Sequence, residues 1–334
     1  MFELCRIHLS VLFLMTALSY LSPAQAQTDG DQKICLQGFL ETGADSLTLG
    51  EMRARCMREP VAEEPVEAAL DKRLTAERTA ASQPFSILAH KPNYILGAAY
   101  NQRGWDSSLV QQLDPDYLND DVEIQFQFSF KVPLAIDLFD GRMDIFTAYT
   151  NRSFWQAYNG DNSAPFRETN HEPEVWVQFR NDWEIWGLTN RLNAFGLVHQ
   201  SNGRAELLSR SWNRMYANFV FAREGFALSV KPWIWLDRND KNSDNPDIDD
   251  YLGHGEVRAA WDHNGHVLST MVRNQLESGF ERGAVELGWS FPVLDYPYLK
   301  GYVQYFYGYG ESLIDYDRRV NRLGIGISIT DWLD

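Results

Sequence analysis

From Val122 to Val132 the chain reads VEIQFQFSFKV, with apolar side chains at 122, 124, 126, 128, 130 and 132 and polar ones between them. Strict alternation of this kind predicts an extended strand with one greasy face, because a helix would smear the same residues around its surface. The texture returns in Val175 to Phe179, Val285 to Phe291, Val303 to Tyr309 and Leu323 to Ile329. In the last of these, Leu323, Ile325, Ile327 and Ile329 share one face, and Gly324, Gly326 and Ser328 the other. About twelve such segments, each roughly 10 to 14 residues long, lie between Asn93 and Leu333, a length suited to crossing a bilayer as tilted strands. Short turns such as Glu224-Gly225 and Asn264-Gly265 alternate with longer polar loops.

The fold class this predicts is all-β: an antiparallel twelve-stranded transmembrane β-barrel with an N-terminal extension. A soluble sandwich would alternate too. Strand length, aromatic residues near the segment ends and the lack of any mature stretch apolar enough for a spanning helix favour the barrel. An even strand number also allows closure, which leaves no backbone edge unpaired in lipid.

The barrel region is expected over residues 91–334. Upstream, Arg6, the apolar run from Leu9 to Leu21 and the small residues Ala24 and Ala26 read as a secretory signal peptide over 1–26. Residues 27–90 form an acidic, aromatic-poor extension in which Val66 to Thr79 suits a helix. After export, Cys35 and Cys56 would meet an oxidising compartment, so a disulfide between them is expected.

Composition narrows the function. The 334 residues carry 30 Lys+Arg against 46 Asp+Glu, a formal charge of −16, which repels phosphate backbones and excludes a basic nucleic-acid binder. The segment Asp237 to Asp250 is rich in aspartate but lacks the residue order of an EF-hand, and reads as a solvated outer loop.

Strand parity singles out one candidate for chemistry. Phe195, Leu197, His199 and Ser201 share a face, and on the next inferred strand Asn213 shares one with Met215, Ala217, Phe219 and Phe221. Both faces are otherwise greasy, so in a barrel all three polar side chains look toward lipid. Polar groups there are costly unless partnered or at the interface, and are functional candidates by default. An imidazole can take the proton of a serine hydroxyl, and an amide oxygen can hold the ring in one tautomer without adding a charge.

Beyond the His-x-Ser pair, His199-Gln-Ser201-Asn-Gly203-Arg204, Ser209-Arg-Ser-Trp-Asn213-Arg214 and Ser163-Ala-Pro165-Phe-Arg167-Glu168-Thr-Asn170-His-Glu-Pro173 stand in order along the chain. In these blocks the sequence resembles the outer-membrane phospholipase A family, over roughly Pro92 to the C-terminus. The resemblance implies an enzyme of the outer membrane that hydrolyses acyl esters of glycerophospholipids and lysophospholipids. Its triad would be Ser201 (nucleophile), His199 (general base and acid) and Asn213 (orienting His199), with the Gly203 amide as oxyanion donor. It also implies a homodimer binding Ca2+ through the Arg204 carbonyl, the Ser209 hydroxyl and Ser163 of the partner subunit, and passage through the barrel-assembly machinery. The chain departs from the family pattern at Asn151, where a Gln usually supports the dimer, and at Ala164 and Gln200. Its end, Trp332-Leu333-Asp334, lacks the usual terminal aromatic, a role Trp332 would have to fill. The rival reading is a non-catalytic, porin-like barrel or scaffold.

Overall fold

A computed structural model describes residues 68–334, apart from 239–243, 275–278, 280, 295 and 297. The expected signal peptide, most of the extension and the expected Cys35–Cys56 disulfide lie outside the described residues. The helix expected over Val66 to Thr79 lies at Ala69–Ala81 (α1). The helix-favouring Ala80-Ala81 carries it further, until Ser82 ends it by donating from Oγ to the Thr79 carbonyl.

Twelve long strands follow. They are β1 Asn93–Asn101, β2 Val122–Asp137, β3 Met143–Trp155, β4 Phe166–Arg180, β5 Leu188–Ser201, β6 Ser211–Arg223, β7 Phe226–Trp235, β8 Gly255–His263, β9 His266–Asn274, β10 Gly283–Pro292, β11 Lys300–Gly308 and β12 Val320–Thr330. Each pairs antiparallel with its neighbour in sequence, and β12 pairs with β1 through Leu323↔Tyr100 and Ile327↔Ile95, closing the barrel. The strands run from 9 to 16 residues, a wider spread than the expected one. Two-residue turns at 224–225 and 264–265 mark one end, and the connections 102–121, 202–210, 236–254 and 309–319 the other. Long loops belong outside the cell and short turns in the periplasm.

Alternation sorts the side chains as the sequence predicts. Phe195, Leu197, Met215, Leu323, Ile325 and Ile329 are exposed on the outer wall, whereas Glu123, Gln125, Glu174, Gln304, Arg322 and Ser328 are buried inside. The lumen is packed with ion pairs. Arg322 reaches Glu311 at 2.6 Å, Arg258 reaches Glu256 at 2.9 Å, and Arg167 grips both Glu123, at 2.9 Å, and Asp315. Arg167 and Glu168 thus serve the lumen and its lid, since the 309–319 loop docks there with Ile314 N–H donating to Glu168 Oε1 at 3.1 Å.

At the short-turn end α1 is tied to the barrel. Its first amide donates to the Glu224 carbonyl (2.9 Å), Asp71 meets Arg191 (2.6 Å), and Glu77 meets Lys131 (2.7 Å). Trp332 does not serve as a lipid-facing terminal aromatic: it packs against the apolar cluster that contains Leu70 of α1, and the Arg258 guanidinium lies 4.7 Å from its ring.

Candidate active site

β5 and β6 are joined by the loop 202–210, and their register sets His199 directly across from Asn213 and Ser201 across from Ser211. Directly opposed residues on adjacent strands hold their Cβ atoms about 5 Å apart, close enough for short polar side chains to bond. His199 Nδ1 and Asn213 Oδ1 are 2.8 Å apart. Gly196 keeps β5 close to its neighbours, because a Cβ there would fall 2.6 Å from the Tyr216 ring.

His199 and Ser201 share the outer face with the exposed Phe195 and Leu197, and both lie at the long-loop rim. Among the described residues, no hydrogen bond joins the Ser201 hydroxyl to His199. Such contacts are often loose in uncomplexed sites. Gln200, of opposite parity, turns inward and accepts from Trp212 Nε1 at 2.8 Å and Arg214 Nη2 at 3.1 Å.

Gly203 has φ +64°, a left-handed conformation natural to glycine, and the His171 ring lies along the side where its Cβ would be. His171 is the β4 partner of Ser201 in register, and its Nδ1 is 2.6 Å from Tyr149 Oη. A second imidazole therefore stands beside the serine. Sequence inspection did not mark it, because no short turn fixes the β4–β5 register.

The candidate calcium ligands are brought together only in part. Arg204 and Ser209 bracket the 202–210 loop. The Arg204 guanidinium anchors that loop by donating to the Arg167 carbonyl at 2.6 Å, and Ser209 Oγ donates to Asp244. Ser163 is in the 156–165 loop with a left-handed φ of +60°, and no hydrogen bond joins it to Arg204 or Ser209. A carbonyl, a hydroxyl and a neighbouring carboxylate are the all-oxygen donors a hard cation takes. Among the described residues no cluster of three His, Cys, Asp or Glu forms a metal cage. The donor types present would fit calcium as a site with few protein ligands.

The aspartate-rich segment is not a solvated loop throughout. Its described part is packed: Asn245, Ile248, Asp249 and Leu252 are buried, Asp247 accepts from Tyr316 Oη, and Asp249 meets Arg238 at 3.1 Å. Apolar Ile248 and Leu252 on a helical turn, Ile248–Leu252, supply the burial that the acidic composition hid. Asp237, read in sequence only as part of this loop, accepts from Asn213 Nδ2 at 2.8 Å. Counting back from the Glu224-Gly225 turn would have found it, since that register sets Asn213 beside Leu236 and Asp237 next in line.

Asn151 faces outward from β3 and accepts from Ser153 Oγ at 2.9 Å, so its amide oxygen is engaged within its own strand.

A protein-family model described as Phospholipase A1 matches residues 70–329, beginning within α1, upstream of Pro92. The chain is 34% identical over 253 residues to "Phospholipase A1" of Klebsiella pneumoniae, covering 74% of this chain and 84% of that protein. Outer membrane phospholipase A from Escherichia coli superposes with a TM-score of 0.68 at 32% identity, over 74% of this chain and 100% of that one. The Salmonella typhi outer membrane phospholipase, described as a dimer with bound calcium, also gives 0.68 at 32% identity, over 76% of this chain and 96% of that one.

Proposed function

The chain belongs to the phospholipase A1 family and crosses the outer membrane as a multi-pass β-barrel, and from that premise we propose that it is a calcium-dependent phospholipase A1/A2 and lysophospholipase whose triad is Ser201, His199 and Asn213. The observation that carries this reading is the 2.8 Å contact between His199 Nδ1 and Asn213 Oδ1 on a wall otherwise made for lipid.

An amide oxygen only accepts, so it selects the tautomer with the proton on Nδ1 and leaves the Nε2 lone pair toward Ser201. Ser201 Oγ attacks the acyl carbonyl as His199 takes its proton. The Gly203 N–H donates to the oxygen on which negative charge develops. His199 then protonates the departing alkoxide, and a water activated by the same imidazole releases the fatty acid. Calcium, held by the Arg204 carbonyl, the Ser209 hydroxyl and the partner subunit's Ser163, would add positive charge beside that oxygen. Activity as a homodimer suits a site on the outer wall, where a permanently active hydrolase would consume its own membrane.

In the same reading residues 1–26 direct export, Cys35 and Cys56 pair afterwards, and the barrel-assembly machinery inserts the chain. A passive channel is disfavoured by the ion pairs that cross the lumen and by the 309–319 loop docked at its outer end. The test is fatty-acid release from mixed micelles by the refolded protein. With calcium, release is expected; excess chelator should lower it by about 100-fold, the loss typical of one oxyanion-stabilising group. Full activity in chelator would remove calcium from the proposal.

A further inference from the structure

Asn213 is held from two sides. Its Oδ1 meets His199 Nδ1 at 2.8 Å, its Nδ2 donates to Asp237 Oδ2 at 2.8 Å, and its backbone N–H donates to Asp237 Oδ1 at 3.2 Å. A carboxylate can only accept, so the NH2 end of the amide must point at Asp237 and its oxygen must point at the histidine. The reversed amide would set two acceptors against each other on one side and the NH2 against a protonated Nδ1 on the other. Asp237 follows the last residue of β7 by two positions, and among the described residues no ion pair engages it, because the adjacent Arg238 is turned to Asp249.

We infer that Asp237 is a positioning residue of this site: it fixes the orientation of the Asn213 amide, and through it the His199 tautomer, while supplying from behind the negative charge that an asparagine lacks. The inference rests on the triad reading and extends it by one group, giving the line Asp237, Asn213, His199, Ser201. A neutral orienter spares the bilayer face an unpaired carboxylate, and Asp237 carries that charge at the loop rim.

The test is a set of variants of the full-length refolded protein, assayed with calcium on mixed micelles. Asp237→Ala is expected to lower kcat about tenfold, with KM within twofold of the parent and the unfolding midpoint unchanged. Asp237→Asn, which keeps an oxygen able to accept from Asn213, should recover part of that loss. Asp237→Ala combined with Asn213→Ala should be no slower than Asn213→Ala alone, because the aspartate acts only through the amide. A loop-supporting role would lower stability and multiply the two losses. Parental kcat in Asp237→Ala, or multiplying losses, would overturn the inference. Ser201→Ala separates the two failures: if it is inactive while Asp237→Ala is normal, only this inference falls, whereas an active Ser201→Ala removes the triad itself.

Discussion

His90 and His199 each present a ring nitrogen to a side-chain oxygen 2.8 Å away, yet the two sites do opposite work. In the lumen, His90 Nε2 meets Glu174, which also accepts from Tyr216 Oη at 2.7 Å, while the ring stacks on Trp176 with centroids 5.0 Å apart. Each group there is surrounded. On the wall, His199 is exposed and secured through one nitrogen, and in the proposed reaction the other serves Ser201. Dense mutual pairing serves stability, whereas pairing from one side leaves a reactive atom free. The contrast also explains why net charge says little about the site: many of the charges are paired inside the barrel, whereas the proposed chemistry is on its outer wall.

The sharpest way to break the comparison is to remove the wall's reactive groups. Ser201→Ala and His199→Ala should each lower calcium-dependent fatty-acid release by about 10⁴-fold or more while leaving the unfolding midpoint in place. A parallel loss of labelling by a sulfonyl fluoride would tie the effect to an activated serine. If either variant kept its activity, the wall would be an ordinary surface.

The lumen should answer in the other currency. Arg322 is fully buried, with Glu311 at 2.6 Å and Gln304 Oε1 at 2.7 Å, so Arg322→Ala leaves Glu311, among the described residues, with only the longer ion pair to Arg152 at 3.3 Å. Removing one partner of a buried pair costs about 3–5 kcal/mol. Denaturant unfolding should show that loss, while the fraction that remains folded releases fatty acid at the parental rate. A collapse of activity at unchanged stability would mean the two regions are coupled.

What could be read from the sequence follows the same division. Alternation made the strands and their facing legible, so Leu323 to Ile329 and the pair His199 and Ser201 were sorted correctly, because parity is a local property of an extended chain. The register of β5 on β6 sets Asn213 across from His199. The contacts of α1 with the barrel, the inward 309–319 loop and the packed turn around Ile248 have no such local period. They depend on pairs such as Ile314 with Glu168 that are remote in sequence. Asp237 falls between these cases, since its strand position could be counted from a tight turn but its acidic surroundings read as a solvated loop.

The smallest effect probes how much of the wall's chemistry depends on orientation. Asn213→Ala removes the acceptor from His199 Nδ1, and with it the preference for one tautomer, but leaves the nucleophile and its base in place. One hydrogen bond contributes about 1–1.5 kcal/mol, which corresponds to a loss of roughly tenfold in kcat. Asn213→Asp restores an acceptor and adds a charge, but sets it against the Asp237 carboxylate now reached by Nδ2 at 2.8 Å, so it should recover less than an isolated His–Asp pair would. Comparing the two variants in the Asp237→Asn background relieves that repulsion. If Asn213→Asp gains there and not in the parent, the wall is a short line of paired groups tuned one by one, unlike the mutually saturated lumen.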